Sequence, residues 1–206
     1  MLEKLPDAVG HILHDFRAGM DKLAFNTAGL RGGMASITVG SLAFADHAPI
    51  PERYTADGEG VSPPLQWSGI PANAASLVLI VEDADSPTPS PLVHAIVVDL
   101  PAADGSMSEG GIGSPGGVGE LAHEGRNSYL SAAWLPPDPP PGHGPHRYAF
   151  QIFALGEGER FTGTPGRDAV MDAVRERGIA SGCLIGTYTR PDGSVPLGQA
   201  PQLATG

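Results

Sequence analysis

Three stretches of this chain are almost continuously apolar: residues 75–81, 93–100 and 148–155. None shows the 3.6-residue period of an amphipathic helix, and none alternates strictly. Apolar, β-branched runs of this length predict strands buried on both faces. Shorter runs at 36–39, 42–44, 65–67 and 185–189 add further strand candidates. Between them lie turn-rich loops, the longest of them 102–120, which predicts a surface loop.

Only two stretches carry helical periodicity. From Pro6 to about Phe25, the residues Val9, Ile12, Leu13, Phe16, Met20 and Leu23 fall on one face, with Asp15, Arg17, Asp21 and Lys22 on the other. That stripe predicts an N-terminal amphipathic helix, covering either the chain's own core or a dimer or partner contact. The second helix starts at Thr164-Pro165, with Thr164 as N-cap, carries Val170, Met171 and Val174, and stops near Gly178. The organisation that follows is a helical extension and linker over 1–33 and a mostly β domain of antiparallel strands over 34–206.

Composition changes this picture in two places. The chain has 206 residues with 29 glycines and 21 prolines, a turn-rich β composition once set against the apolar runs. Its net charge of −11 argues against non-specific nucleic-acid or anionic-membrane binding. The single cysteine, Cys183, excludes an internal disulfide. No apolar run approaches the roughly 18 residues of a membrane span, and the first residues lack the pattern of a secretory signal. The cytoplasm is the expected location.

Polar groups gather at the ends of the three buried strands. Asp83 and Asp85 lie two apart just beyond the first, His94 near the start of the second, and His146 at the start of the third, behind the loop Pro139-Pro140-Pro141-Gly142-His143-Gly144-Pro145. If the strands are neighbours, these groups converge. Two carboxylates on one extended face repel unless one takes a proton or a cation lies between them. The imidazoles offer donors to an anion, the carboxylates acceptors to an ammonium group, and Tyr148 a phenol. His143, inside the turn, reads as a bystander. The alternative is a metal-assisted or acid/base enzyme built on Asp83/Asp85 and His94/His146. No paired-histidine metal spacing, nucleophile elbow or nucleotide loop supports it, so no cofactor is expected.

Three segments resemble the phosphatidylethanolamine-binding protein family, in its bacterial Raf-kinase-inhibitor-like branch. They are Asp57-Gly58-Glu59-Gly60-Val61-Ser62-Pro63-Pro64-Leu65-Gln66-Trp67, Asp83-Ala84-Asp85-Ser86-Pro87 with His94 after it, and Gly142-His143-Gly144-Pro145-His146-Arg147-Tyr148. The resemblance implies two antiparallel sheets with flanking helices and a small anion pocket. Position by position, that pocket would comprise Asp83, Asp85, Pro87, His94, Pro140, Gly142, Gly144, His146 and Tyr148. It implies a non-catalytic protein that binds phosphate or a phosphoethanolamine-like head group, and inhibition of a kinase or another protein. Ala84 stands where the family commonly has proline, and Leu92-Val93 where aromatics often precede the histidine.

Overall fold

The computed structural model describes residues 15–29, 35–114 and 116–191. Among these residues, nine strands form two sheets. They are β1 (Ala35–Ser36), β2 (Thr38–Gly40), β3 (Leu65–Ser68), β4 (Ser76–Asp83), β5 (Leu92–Leu100), β6 (Gly105–Met107), β7 (His123–Glu124), β8 (His146–Leu155) and β9 (Gly178–Tyr188). The larger sheet runs β1-β9-β8-β4-β5-β7 and the smaller β2-β3-β6. All pairings are antiparallel except β1 with β9. A short helix α1 (Ala24–Thr27) and a longer one, α2 (Arg167–Arg177), complete the fold.

The layers explain the apolar runs. Along β4, Leu77, Leu79 and Val81 enter the core between the sheets, while Val78 and Ile80 enter a second core under α1 and α2. β5 and β8 divide their side chains in the same way, so β4, β5 and β8 have almost no water-facing side. The three predicted buried strands are therefore adjacent, with β4 in the middle. β9 has a helix-free start directly after α2, and its side chains alternate between buried and half-buried.

Several sequence expectations differ from what is observed. Residues 42–44 form a bend rather than a strand, although Phe44 is still buried. The single strand expected at 36–39 is split at Ile37. β1 joins the larger sheet and β2 the smaller, and Ile37 itself is bound through its N–H to the Ser181 carbonyl. The 102–120 loop contains β6, which supplies an edge of the smaller sheet. Thr164 does not cap α2; Gly166 holds the N-cap position without a side-chain bond.

The first part of the helix expected over 6–25, residues 6–14, falls outside the described residues. Within them its end is not continuous helix. Gly19 sits at φ +105°, which interrupts any helix, and is followed by a 3-10 turn at Met20–Lys22 and then α1. Of the stripe residues that are described, Leu23 is almost fully buried, Met20 is half-buried and Phe16 is 53% exposed, so the stripe does not form one covered face; Ala24, which is off the stripe, is buried beside Leu23. The Glu82 carboxylate, itself fully buried, accepts the Ala24 N–H at 2.7 Å, the Gln151 amide at 3.0 Å and Arg167 Nε at 2.6 Å. The first of these bonds answers one open N–H at the start of α1 with a charge on the sheet.

Candidate functional site

The turn after β4, the loop 134–140 and the first residues of β8 enclose a cavity of about 300 Å³. β4 pairs with both β5 and β8, and this register brings Asp83 opposite Tyr148 and Leu92. Strand-end groups far apart in sequence are thus gathered at one end of the sheet. Of the expected site residues, Asp83, Pro87, His94, Pro140 and His146 line the cavity, together with Ser86, Thr88, Leu92, Tyr129, Leu135, Pro136, Asp138 and Pro139.

The two aspartates do not share a site. Asp83 Oδ2 accepts from His146 Nδ1 at 2.7 Å, and Asp83 Oδ1 accepts the Asp85 N–H at 2.8 Å. Asp85 turns the other way. Its carboxylate takes Arg147 Nε and Nη2, each at 2.7 Å, and the Arg147 N–H at 2.9 Å; Arg17 Nη1 lies 3.0 Å away. Burial of Asp85 opposes ionisation, yet these arginine bonds outweigh it and hold the carboxyl below the usual range. The repulsion expected between neighbouring carboxylates is relieved by separate partners, with no shared proton or cation needed.

Two histidines meet behind the rim. His143 Nδ1 and His146 Nε2 are 2.6 Å apart, and both rings are buried. Asp83, His146 and His143 therefore form one hydrogen-bonded chain, in which one proton lies between the imidazoles. His143 is an integral member of this cluster rather than a bystander. Its place there depends on Gly142 and Gly144, whose φ values of +75° and +86° fold the loop back on itself. Neither glycine lines the cavity. Arg17 fastens the same loop from outside, donating to the carbonyls of His143 and Pro145 at 2.8 Å each.

His94 is held differently. Its Nδ1 donates to the Leu135 carbonyl at 2.6 Å, since a carbonyl can only accept. Nε2 is buried and has no partner among the described residues. The Tyr148 ring meets His94 edge-on at 5.2 Å, and the fully buried Tyr148 hydroxyl is likewise without a partner among the described residues. Burial pushes the His94 imidazole below its ordinary pKa, against the opposing field of Asp83, so the neutral form with an open Nε2 acceptor is favoured. The same burial pushes the Tyr148 phenol well above its ordinary range.

One residue that sequence reasoning did not single out, Arg190, fastens the rim. Arg190 is nearly buried; it pairs with Asp138 at 2.7 Å, with Asp57 at 2.8 Å, and donates to the Pro139 carbonyl at 3.0 Å. Asp57 also accepts from the Tyr188 hydroxyl at 2.6 Å. The first motif segment thus reaches the cavity through Arg190. No local spacing signals a partnership between residues 57, 138 and 190; only their charge types hint at it.

Among the described residues, no helix is long and apolar enough to cross a membrane, and no group of three or more histidine, cysteine or acidic side chains is arranged to hold a metal ion.

Comparison with known proteins places this geometry in a family. The chain is 34% identical over 148 residues to a UPF0098 protein of Methanothermobacter thermautotrophicus, covering 72% of this chain and 95% of that one. It is 38% identical over 152 residues to a UPF0098 protein of Mycobacterium tuberculosis, covering 74% and 70%. Among solved structures, Escherichia coli YbcL, described as a member of the mammalian PEBP family, superposes with a TM-score of 0.70 at 26% identity, covering 76% of this chain and 99% of that one. A phosphatidylethanolamine-binding protein homologue from Chlamydia trachomatis gives 0.67 at 33% identity, covering 75% and 98%. A sequence profile of the family described as "Phosphatidylethanolamine-binding protein" matches residues 40–189, most of the two-sheet body. On that match and those relatives, the chain belongs to the phosphatidylethanolamine-binding protein family.

Proposed function

We propose that this protein is a non-catalytic binding protein whose cavity takes a phosphate-like group, free or as a phospholipid head group. The observation that carries the reading is His94 Nε2, a buried ring nitrogen without a partner among the described residues, on a side chain that lines a small cavity. A buried polar atom left open costs stability unless an occupant uses it. At about 300 Å³ the cavity is at the small end of ligand sites, which suits a head group rather than a whole lipid. Its rim of Pro87, Leu92, Leu135, Pro136, Pro139 and Pro140 offers apolar contact to whatever chain the head group carries.

The enzyme alternative needs an ionised Asp83/Asp85 pair facing substrate. Asp85 is instead engaged by Arg147 and Arg17, which argues for a fixed binding wall. Equilibrium titration with inorganic phosphate and phosphoethanolamine tests the proposal. His94→Ala and His146→Ala are each expected to weaken binding tenfold or more, the equivalent of about 1.4 kcal/mol. Unchanged affinity in both variants would remove the basis for the proposal.

A further inference from the structure

The cavity wall is rich in acceptors and poor in cations. Among the described residues, no lysine or arginine lines it. The three nearby arginines are committed elsewhere: Arg147 and Arg17 to Asp85, Arg190 to Asp57 and Asp138. His146 spends Nδ1 on Asp83 and Nε2 on His143. Prolines at 87, 136, 139 and 140 have no N–H to give. His94 spends its proton on Leu135 and leaves a lone pair on Nε2. A phosphate dianion entering here would meet that lone pair and two carboxylates, Asp83 and Asp138.

Resting on the anion-pocket reading above, we infer that the ligand is a phosphate monoester bound as its protonated monoanion, whose P–OH donates to His94 Nε2. The proton stays on the ligand and no bond is made or broken. A diester such as an intact phospholipid head group has no such proton and lacks this contact. Every charged or titratable group around His94 is consistent with it. Asp83 on β4 and Asp138 on the rim loop disfavour a second negative charge, while His146 on β8 has both nitrogens engaged. Tyr148 on β8 keeps its proton; its hydroxyl and the Trp134 indole N–H are buried donors without a partner among the described residues, but neither residue lines the cavity.

Ethyl phosphate and dimethyl phosphate test the inference, because they are isomers of one size and only the first has a second ionisation. Their binding to the full chain is measured by calorimetry between pH 6 and 8. With a second phosphate pKa near 6, the affinity for ethyl phosphate is expected to fall roughly 50-fold over that range. Dimethyl phosphate is expected to bind at least tenfold more weakly than ethyl phosphate at pH 6. His94→Gln, whose amide can donate as well as accept, is expected to flatten the pH profile for ethyl phosphate. Affinity that rises with pH would overturn the inference. So would dimethyl phosphate binding as tightly and with the same pH slope, since His94 would then be taking up the proton itself. Either result leaves the anion-pocket reading standing; failure of inorganic phosphate and both esters to bind at any pH removes that reading as well. Phosphoethanolamine and hexyl phosphate, compared at pH 6, separate a free metabolite from a lipid-chain monoester as the source of the shared group.

Discussion

Arg167→Met is the sharpest test of what holds the N-terminal segment to the sheet. Methionine keeps the aliphatic bulk and removes the charge. Glu82 then remains fully buried with two neutral donors, the Ala24 N–H and the Gln151 amide, in place of three partners. Breaking a buried ion pair from one side costs about 3–5 kcal/mol, because the surviving charge stays desolvated. The two remaining hydrogen bonds, and the quarter of the Arg167 side chain that is exposed, place the expected loss at the lower end, about 3 kcal/mol. For a domain of this size, that lowers the melting temperature by roughly 6–12 °C. Urea unfolding followed by circular dichroism at pH 7 gives the number directly. The decisive comparison is the double variant Glu82→Gln/Arg167→Met, which neutralises the orphaned carboxylate and is expected to be more stable than Arg167→Met alone. A loss below about 1 kcal/mol in the single variant, in the range of an exposed pair, would refute the reasoning. So would a double variant less stable than the single one.

Two further outcomes follow from the buried titratable groups. His94 has a folded-state pKa below its unfolded value of about 6.5, so the unfolded chain takes up its proton first and His94 contributes a loss of stability as pH falls below about 6.5. His94→Gln, compared with wild type by thermal melts at pH 5 and pH 7.5, is expected to show a smaller drop on acidification; an equal drop refutes the assignment. The Cys183 thiol is pushed up to about 12 by burial, with Asp46 and Glu82 adding to the effect. Against an ordinary thiol near 8.5, its alkylation by iodoacetamide at pH 8, followed by intact mass, is expected to be at least a hundredfold slower in the native protein than in urea. Comparable rates would contradict its burial.

Much of the two-sheet body could be read from the residues, because the strongest signal coincided with the strongest constraint. Residues 75–81, 93–100 and 148–155 have apolar side chains on both faces, and only strands covered from both sides need that. Short edge elements were harder. β6, as Gly-Ser-Met, has no pattern of its own and exists because β3 offers it an open edge. The bend at 42–44 has a strand-like sequence but no partner strand. The N-terminal stripe foretold the burial of Leu23 but not the exposure of Phe16, since Gly19 breaks the helix and the spacing no longer defines one face.

At the cavity, the residue types were legible and their directions were not. Asp83 and Asp85 share a face only if the strand continues, and it ends at Asp83. From there the chain turns, and Asp85 finds Arg147 and Arg17 instead of the cavity. His143 looked idle because its partner, three residues on, lies across a reversal that only two left-handed glycines make possible. Arg190 was invisible because its partners lie 52 and 133 positions away, at Asp138 and Asp57.

The position of β9 in the larger sheet has a consequence for how the molecule is made. β9 lies between β1 and β8, and Ala35 is paired with Ala180. Pairings so distant along the chain form slowly, because a long loop must close before any contact repays it. During synthesis the apolar flank of β8 stays uncovered until residue 188 has left the ribosome. The rim then waits two residues longer, for Arg190 to reach Asp138 and the Pro139 carbonyl. A nascent chain of this protein is thus without a finished cavity until Arg190 is in place, so ligand binding can act only on a nearly complete fold and cannot template its earlier stages.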